Sequence, residues 1–403
     1  EWTRAAGEFA LVQSRPITAL PLPAAPPPET WPLPYPRGAY FRASIVEQLP
    51  DPLTPLFADL IDPAVTLSIQ DLLRQVLGSV PEGDISFPTV NGYAYYFYRN
   101  VGLLRMTLRM PLAIRGLTRP ESRGGVRGWQ ERAHPTYAGV VAAWTVKDLA
   151  ALSSEDLLAG VVTLLRAGAT YYTAVQSVIP LAATAEIGFG FFYDRLVRRP
   201  GDPAAHTFLI GEESEPIRAE RSLYALAREE PGTTQWDTHF REHLARYGHA
   251  VYNLDFAEPT PADQPGPLLD TIAFQRSEAG VDPDVRRAGI LADRDARTRE
   301  VRARLGPLRR RVFDALLRRA RTLGPIREDA LTDVGLAWPQ LRRMLRELGG
   351  RLRADPDDVF WFTEAELRAA IRGETVDPPI ADRKALRRGR SLVSPPQMLP
   401  QAR

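Results

Sequence analysis

Eight prolines fall between Pro21 and Pro36. Proline fixes φ and has no amide hydrogen, so this stretch is barred from a helix interior and from a central strand. It favours polyproline II and acts as a semi-rigid spacer. The chain is thereby divided. A short piece, residues 1–18, precedes a linker at 19–37, and a long piece spans 38–380. Residues 381–403 turn basic and then proline-containing, and read as an exit linker. The first residue is Glu1 rather than methionine, so the chain reads as part of a longer one.

The long piece carries helix signals. Ser153-x-x-Asp156 opens an apolar run with Leu157, Leu158, Val161, Val162 and Leu165, a start signal followed by one buried face. Leu305, Leu308, Val312 and Leu316 recur at i+3/i+4 and predict a second buried face, with Arg309, Arg310 and Arg311 between them. Leu341, Leu345 and Leu348 repeat the pattern, and Gly349-Gly350 predicts a C-cap. Asp355-Pro356-Asp357-Asp358 is turn chemistry. Val359-Phe360-Trp361-Phe362 reads as a short strand or extended run. Thr363-x-x-Glu366 predicts a capping box on a helix closed by Gly373. Strand signals are few, the best being Tyr93–Tyr98 after Asn91-Gly92. The expected fold is mainly α: a large helical domain with a few short strands, preceded by a β-hairpin over 1–18.

The most apolar stretch, Val175 to Tyr193, is interrupted by Gln176, Pro180 and Glu186. A membrane span needs about 20 nearly uninterrupted apolar residues, so a buried helix pair is expected here and no membrane association. Cysteine is absent, which excludes disulfides, thiolate metal sites and cysteine nucleophiles and fits a cytoplasmic setting. Lys147 and Lys384 are the sole lysines, so no G-x-x-x-x-G-K-[ST] phosphate loop exists.

Three groups of residues bear on chemistry. In a strand, alternate residues share a face. Phe9, Leu11, Gln13 and Arg15 would therefore lie together, and a turn near Gly7 would bring Glu1 opposite Gln13. Carboxylate and amide oxygens suit Mg²⁺, and a guanidinium suits phosphate; any amphipathic hairpin could carry the same residues. His239-Phe240-Arg241-Glu242-His243 fits the H-x-x-E-H metal pattern. However, Trp236, Phe240, Leu244 and Tyr247 make that helix an ordinary surface helix with a core face. Arg286 to Arg321 is interleaved with Asp293, Asp295, Glu300 and Asp314, which reads as a solvated face with i,i+4 pairs rather than a nucleic-acid surface. His134 and His206 sit in loop-like contexts.

Glu1-Trp2 followed by Gly7-Glu8-Phe9-Ala10-Leu11-Val12-Gln13-Ser14-Arg15-Pro16-Ile17-Thr18 resembles the closing hairpin of the ATP-grasp domain in the phosphoenolpyruvate synthase and pyruvate phosphate dikinase superfamily. The resemblance implies that Glu1 and Gln13 bind Mg²⁺ and that Gln13 and Arg15 contact ATP phosphates. No phosphohistidine motif follows, and a long helical insert in that place resembles the rifampicin phosphotransferase architecture. Val46-Glu47-Gln48-Leu49-Pro50-Asp51-Pro52-Leu53-Thr54-Pro55-Leu56 is similar to the opening of that insert. Arg246-Tyr247-Gly248-His249, with Tyr252-Asn253-Leu254-Asp255 and Pro259, is similar to a later segment. Arg327-Glu328-Asp329 and Asp357–Leu367 are similar to its closing helices. Two departures stand out: Ala250 replaces the usual arginine, and Pro259–Pro265 replaces a tryptophan-containing string.

The resemblance implies ATP and Mg²⁺ as cofactors, and flanking ATP-grasp and swivelling phosphohistidine domains as partners. A phosphoryl group would pass through a histidine to the hydroxyl of a small molecule or to a pyruvate-like acceptor. No catalytic residue is expected within this piece, which alone should be inert. His249 is the one candidate for contacting substrate, as a base or by orienting a hydroxyl, and reads equally as a helix-end histidine satisfied by backbone. Two alternatives stand beside this: a ligase of the same architecture, and a non-catalytic helical binding module.

Overall fold

The computed structural model describes residues 24–43, 45–78, 80–81, 83–109, 122–277 and 281–400, and the backbone of 2–5 and 8–11. The chain is mainly α, with a few short antiparallel strands, as the helix signals predict. Strands β1 (Trp2–Ala5) and β2 (Glu8–Leu11) pair with Trp2 opposite Leu11 and Ala5 opposite Glu8. Glu1, Gln13 and Arg15 lie outside the described residues, as does their expected convergence.

A four-stranded antiparallel sheet follows. It is built from β3 (Gly38–Phe41), β4 (Ile85–Ser86), β7 (Tyr96–Arg99) and β8 (Met398–Leu399), in the order β4-β7-β3-β8. A separate hairpin, β5 (Thr89–Val90) and β6 (Tyr93–Ala94), turns through Asn91-Gly92, both at positive φ. That is the geometry two-residue hairpin loops require. Tyr40, Tyr93, Tyr95, Phe97 and Leu399 form the core beneath these strands, with Trp31 against them.

Both expected linkers differ from the sequence reading at their inner ends. Residues 380–391 form a helix, and β8 pairs with β3. The proline stretch packs on that helix: the Ala25 amide donates to the Ala385 carbonyl at 2.9 Å. Basic residues that look like a free tail are instead a helix whose arginines reach inward.

The helices are α1 (Ile45–Gln48), α2 (Pro55–Leu77), α3 (Asn100–Leu108), α4 (Gly125–Gly128), α5 (His134–Thr145), α6 (Ser154–Leu196), α7 (Glu215–Arg228), α8 (Thr234–Tyr247), α9 (Gly266–Arg276), α10 (Pro283–Ala303), α11 (Pro307–Thr332), α12 (Trp338–Leu352), α13 (Glu364–Ile371) and α14 (Ile380–Ser391). Helix α6 is the axis, with α2, α11 and α12 packed along it. Ser153 caps it, its hydroxyl accepting from the Asp156 amide at 3.0 Å. The expected helix pair over 175–193 is one continuous helix running through Pro180, because packing on several sides outweighs the one hydrogen bond proline removes. Among the described residues α6 is the one helix long and apolar enough to cross a membrane, and 33% of its most apolar window is buried.

The main core surrounds the first half of α6 and takes in Leu341, Leu345 and Leu348. A second cluster at its far end joins Phe189 and Tyr193 to Phe208, Phe313 and Leu317. Here the predicted face is only partly right: Leu305 and Leu316 pack, partly buried, against this cluster. Leu308 is 76% exposed, and Val312 also faces outward, whereas Phe313, Leu317 and Ala320 are buried. The chain breaks at Gly306 before α11 begins, so Leu305 reaches the cluster from outside the helix, and within the helix the larger aromatic surface of Phe313 takes the inward position.

Two further expectations are corrected. Helix α12 continues past Gly349-Gly350 to Leu352. A Cβ on Gly349 would stand 2.1 Å from the Pro356 carbonyl oxygen, so this glycine permits close approach rather than capping. Val359–Trp361 belongs to a 3₁₀ turn over Pro356–Trp361, started by Asp355, whose carboxylate accepts from the Asp357 amide. Buried Val359, Phe360 and Phe362 hold it against α12 and α2. The capping box at Thr363 and Glu366 is present, and Gly373 follows at φ 84°.

Candidate functional site

The two strings that resemble the helical insert, 46–56 and 246–259, are far apart in sequence and are joined directly. The Leu254 amide donates to the Gln48 carbonyl at 2.8 Å. Thr54 donates to Asp255 twice, from its amide (2.6 Å) and its hydroxyl (2.8 Å). Asn253 Nδ2 donates to Asp51 Oδ2 at 3.1 Å. Asp255 is fully buried, and burial raises its carboxyl above the usual range against the opposing pull of Arg387 and the Thr54 and Ala257 donors. A carboxylate this satisfied acts as a structural rivet, because each donor it holds would otherwise be a buried orphan.

Above this joint lies an open cleft of about 430 Å³. Asp51, Tyr252, Asn253, Glu258, Thr260 and Gln264 supply its polar lining, and Val251, Leu268 and several prolines its apolar lining. Ala250, where the resemblance leads one to expect an arginine, lines it too. Tyr252 projects with 79% of its surface exposed. The 259–265 departure forms one wall. Asp263 accepts from the Thr260 amide and hydroxyl and from Arg342 Nε at 2.6 Å, and the buried Arg342 guanidinium also donates to the Phe256 carbonyl.

Helix α14 braces the cleft from behind its lining. Arg387 donates from Nε to the Pro52 carbonyl at 2.7 Å and from its terminal nitrogen to Glu258 at 2.8 Å. Burial works against its charge, but Asp255, Glu258 and Asp51 more than offset this and raise its pKa. Nothing in the basic composition of 381–403 signals this role.

His249 does not line the cleft. It lies just past α8, buried, with Nε2 3.0 Å from Asp333 Oδ1. His134 Nε2 lies 2.8 Å from the other oxygen, Asp333 Oδ2. One carboxylate thus ties two imidazoles. Burial alone would raise the Asp333 carboxyl; the bonds to His134 and His249 outweigh it and bring the pKa down to about 2. The same bond raises His134, against the lowering effect of its own burial. His249 Nδ1 is buried without a partner, so its proton belongs on Nε2, facing Asp333. Trp129 and Tyr171 pack around His134, and a π-helical turn over Trp129–Ala133 leads into it. Such turns concentrate at functional sites. His134 therefore opens a helix rather than sitting in a loop, and His206 lies exposed in a 3₁₀ turn. Asp333 carries no sequence signal at all.

The H-x-x-E-H pair is split. His239 Nδ1 lies 2.7 Å from Glu229, while His243, buried, lies 2.9 Å from the Ser222 hydroxyl. Burial pushes the His243 pKa down to about 4. Among the described residues no three His, Asp or Glu side chains are grouped to hold a metal ion. The arginines of 286–321 pair mainly between elements, as in Arg286–Glu220, Arg294–Glu212 and Arg302–Asp314. Arg294 is buried and donates to the Ile210 carbonyl, so part of the face expected to be solvated is an interior clamp.

Residues 195–328 match the family model of the rifampicin phosphotransferase fourth domain. No curated protein matches the chain. The match bears out the resemblance to the phosphoenolpyruvate synthase and rifampicin phosphotransferase superfamily. It includes His249, Asp255 and Glu258 but not Asp51, His134, Asp333 or Arg387. The cleft lining thus lies inside the matched segment except for Asp51.

Proposed function

We propose that this chain, which carries a rifampicin phosphotransferase-like domain, is the acceptor-binding middle part of a cytoplasmic ATP-dependent phosphotransferase. In this reading Glu1, Gln13 and Arg15 belong to a nucleotide site that binds ATP and Mg²⁺, and a histidine on a swivelling domain carries the phosphoryl group after AMP is released. The observation that carries the proposal is the cleft, built where the two strings of the resemblance are riveted by Thr54 and Asp255. The acceptor hydroxyl would sit against Asp51. Asn253 holds one Asp51 oxygen, leaving the other to accept the hydroxyl proton as the new P–O bond forms. The cleft is open, so water, which would compete as acceptor, would be excluded only when the bound acceptor and a docked domain cover it.

The test uses the full-length protein from the surrounding reading frame, supplied with ATP, Mg²⁺ and a panel of small-molecule acceptors. AMP should form and labelled phosphate should appear on an acceptor. Asp51→Asn should lower transfer at least 100-fold while the enzyme still phosphorylates itself from ATP. Formation of AMP by residues 1–403 alone would refute the proposal. So would a full-length protein that binds acceptors but never cleaves ATP, since that is the behaviour of a binding module.

A further inference from the structure

We propose that a second cavity, sharing no lining residue with the cleft, binds an amphiphilic organic anion: a small molecule with a flat apolar body and one sulfonate, phosphate or carboxylate group. The cavity is larger than the cleft, about 910 Å³, and opens between helix α2 and strands β4 and β7. Tyr35 and Phe97 form an aromatic wall, their rings 5.2 Å apart, and Ile85 and Val101 add aliphatic surface. A lining of this kind fits an apolar ligand body.

Three features at its mouth supply the anion recognition. Arg37 and Arg99 both line it, and neither guanidinium has a carboxylate partner among the described residues. They are brought together by strand register, because Arg99 pairs with Gly38, the residue after Arg37. Asp84, whose backbone carbonyl accepts from the Arg99 amide, has its carboxylate committed to Arg105 at 2.7 Å. Two forked donors lining one cavity without a counter-ion match an anionic head group. Second, Ser86 lines the same cavity, and its hydroxyl oxygen, enclosed beside it, has no hydrogen-bond partner; an enclosed hydroxyl is seldom left so. Third, Arg37 stands at φ 61°, a region that residues with side chains rarely occupy. Its carbonyl accepts from the Asn100 amide at 3.2 Å, which holds the backbone there. Backbone strain kept at an arginine where glycine would be relaxed is a mark of a binding site.

The probe is 8-anilinonaphthalene-1-sulfonate, followed by fluorescence, with the uncharged N-phenyl-1-naphthylamine as its counterpart. Arg99→Gln and Arg37→Gly (which suits the positive φ) should together weaken the sulfonate at least tenfold and leave the uncharged probe within about twofold. Arg99→Gln alone should weaken the sulfonate by about threefold or more, which keeps the test open if the double variant unfolds. Arg166→Gln, in another part of the surface, should change neither. The proposal is overturned if the wild type does not bind the sulfonate, if both probes weaken equally, or if Arg166→Gln has the same effect as Arg99→Gln. None of these readouts depends on ATP turnover, so the result stands or falls apart from the phosphotransferase reading.

Discussion

Replacing Asp333 by asparagine removes the charge that ties His134 to His249 while keeping the side chain's size. The wild-type carboxyl has a pKa of about 2 in the folded chain, against about 3.9 when free. At roughly 1.4 kcal/mol per pH unit, that gap is worth about 2.5 kcal/mol. Its side chain is 22% exposed, so solvent screening is limited. The folded pKa lies below the unfolded one, so this stability is present above about pH 4 and is lost as pH falls toward 2. His134 runs the other way: its pKa is raised, so its share is full below about pH 6.5 and fades as pH rises through its folded value. A chain of 403 residues unfolds with an entropy near 0.8 kcal/mol/K at about 2.1 cal/mol/K per residue. Asp333→Asn should therefore lower Tm by about 3 °C at pH 6, with little effect at pH 2. NMR titration of His134 should show its pKa falling toward the free value. A variant within 1 °C of wild type at pH 6, with His134 titrating unchanged, would refute the reasoning.

Glu366→Gln should cost about 2–3 kcal/mol near pH 7 and almost nothing near pH 2, by urea unfolding. The Arg383 bonds and the Thr363 cap hold the Glu366 carboxyl at about 2 despite some burial, and that stabilisation is lost as pH falls through the folded pKa. Gly349→Ala should destabilise by about 2 kcal/mol or more, since its Cβ meets the Pro356 carbonyl oxygen rather than a side chain able to move aside. Phe313→Ala should cost about 3–5 kcal/mol and Leu308→Ala less than about 0.5 kcal/mol; equal costs by urea unfolding would restore the leucine face predicted from periodicity.

Local signals in the sequence proved reliable where the structure depends on neighbouring residues. The Ser153 cap, the Thr363–Glu366 box and the Asn91-Gly92 turn each involve atoms within a few residues. Periodicity was weaker evidence of direction. It finds a helix in α11, but the choice between Leu308 and Phe313 as the inward residue depends on what α6 presents to it. The candidate site was legible only in outline. The resemblance marks Asp51, His249 and Asp255 as members of two strings, but not that Thr54 and Asp255 bond or that His249 faces Asp333 rather than the cleft.

From the sequence alone came the helical class, the position of the proline stretch and the superfamily resemblance, all of which rest on composition, spacing or short contiguous strings. Tertiary structure alone decided that the basic C-terminal segment is a helix whose Arg387 ties Pro52 to Glu258 behind the cleft, that His134 and His249 share one carboxylate, and that Arg37 and Arg99 line one cavity. Each of these joins residues from distant parts of the chain, or from different strands, through side-chain geometry. Burial sets the strength of such contacts, and burial is a property of the packed whole that no local pattern encodes.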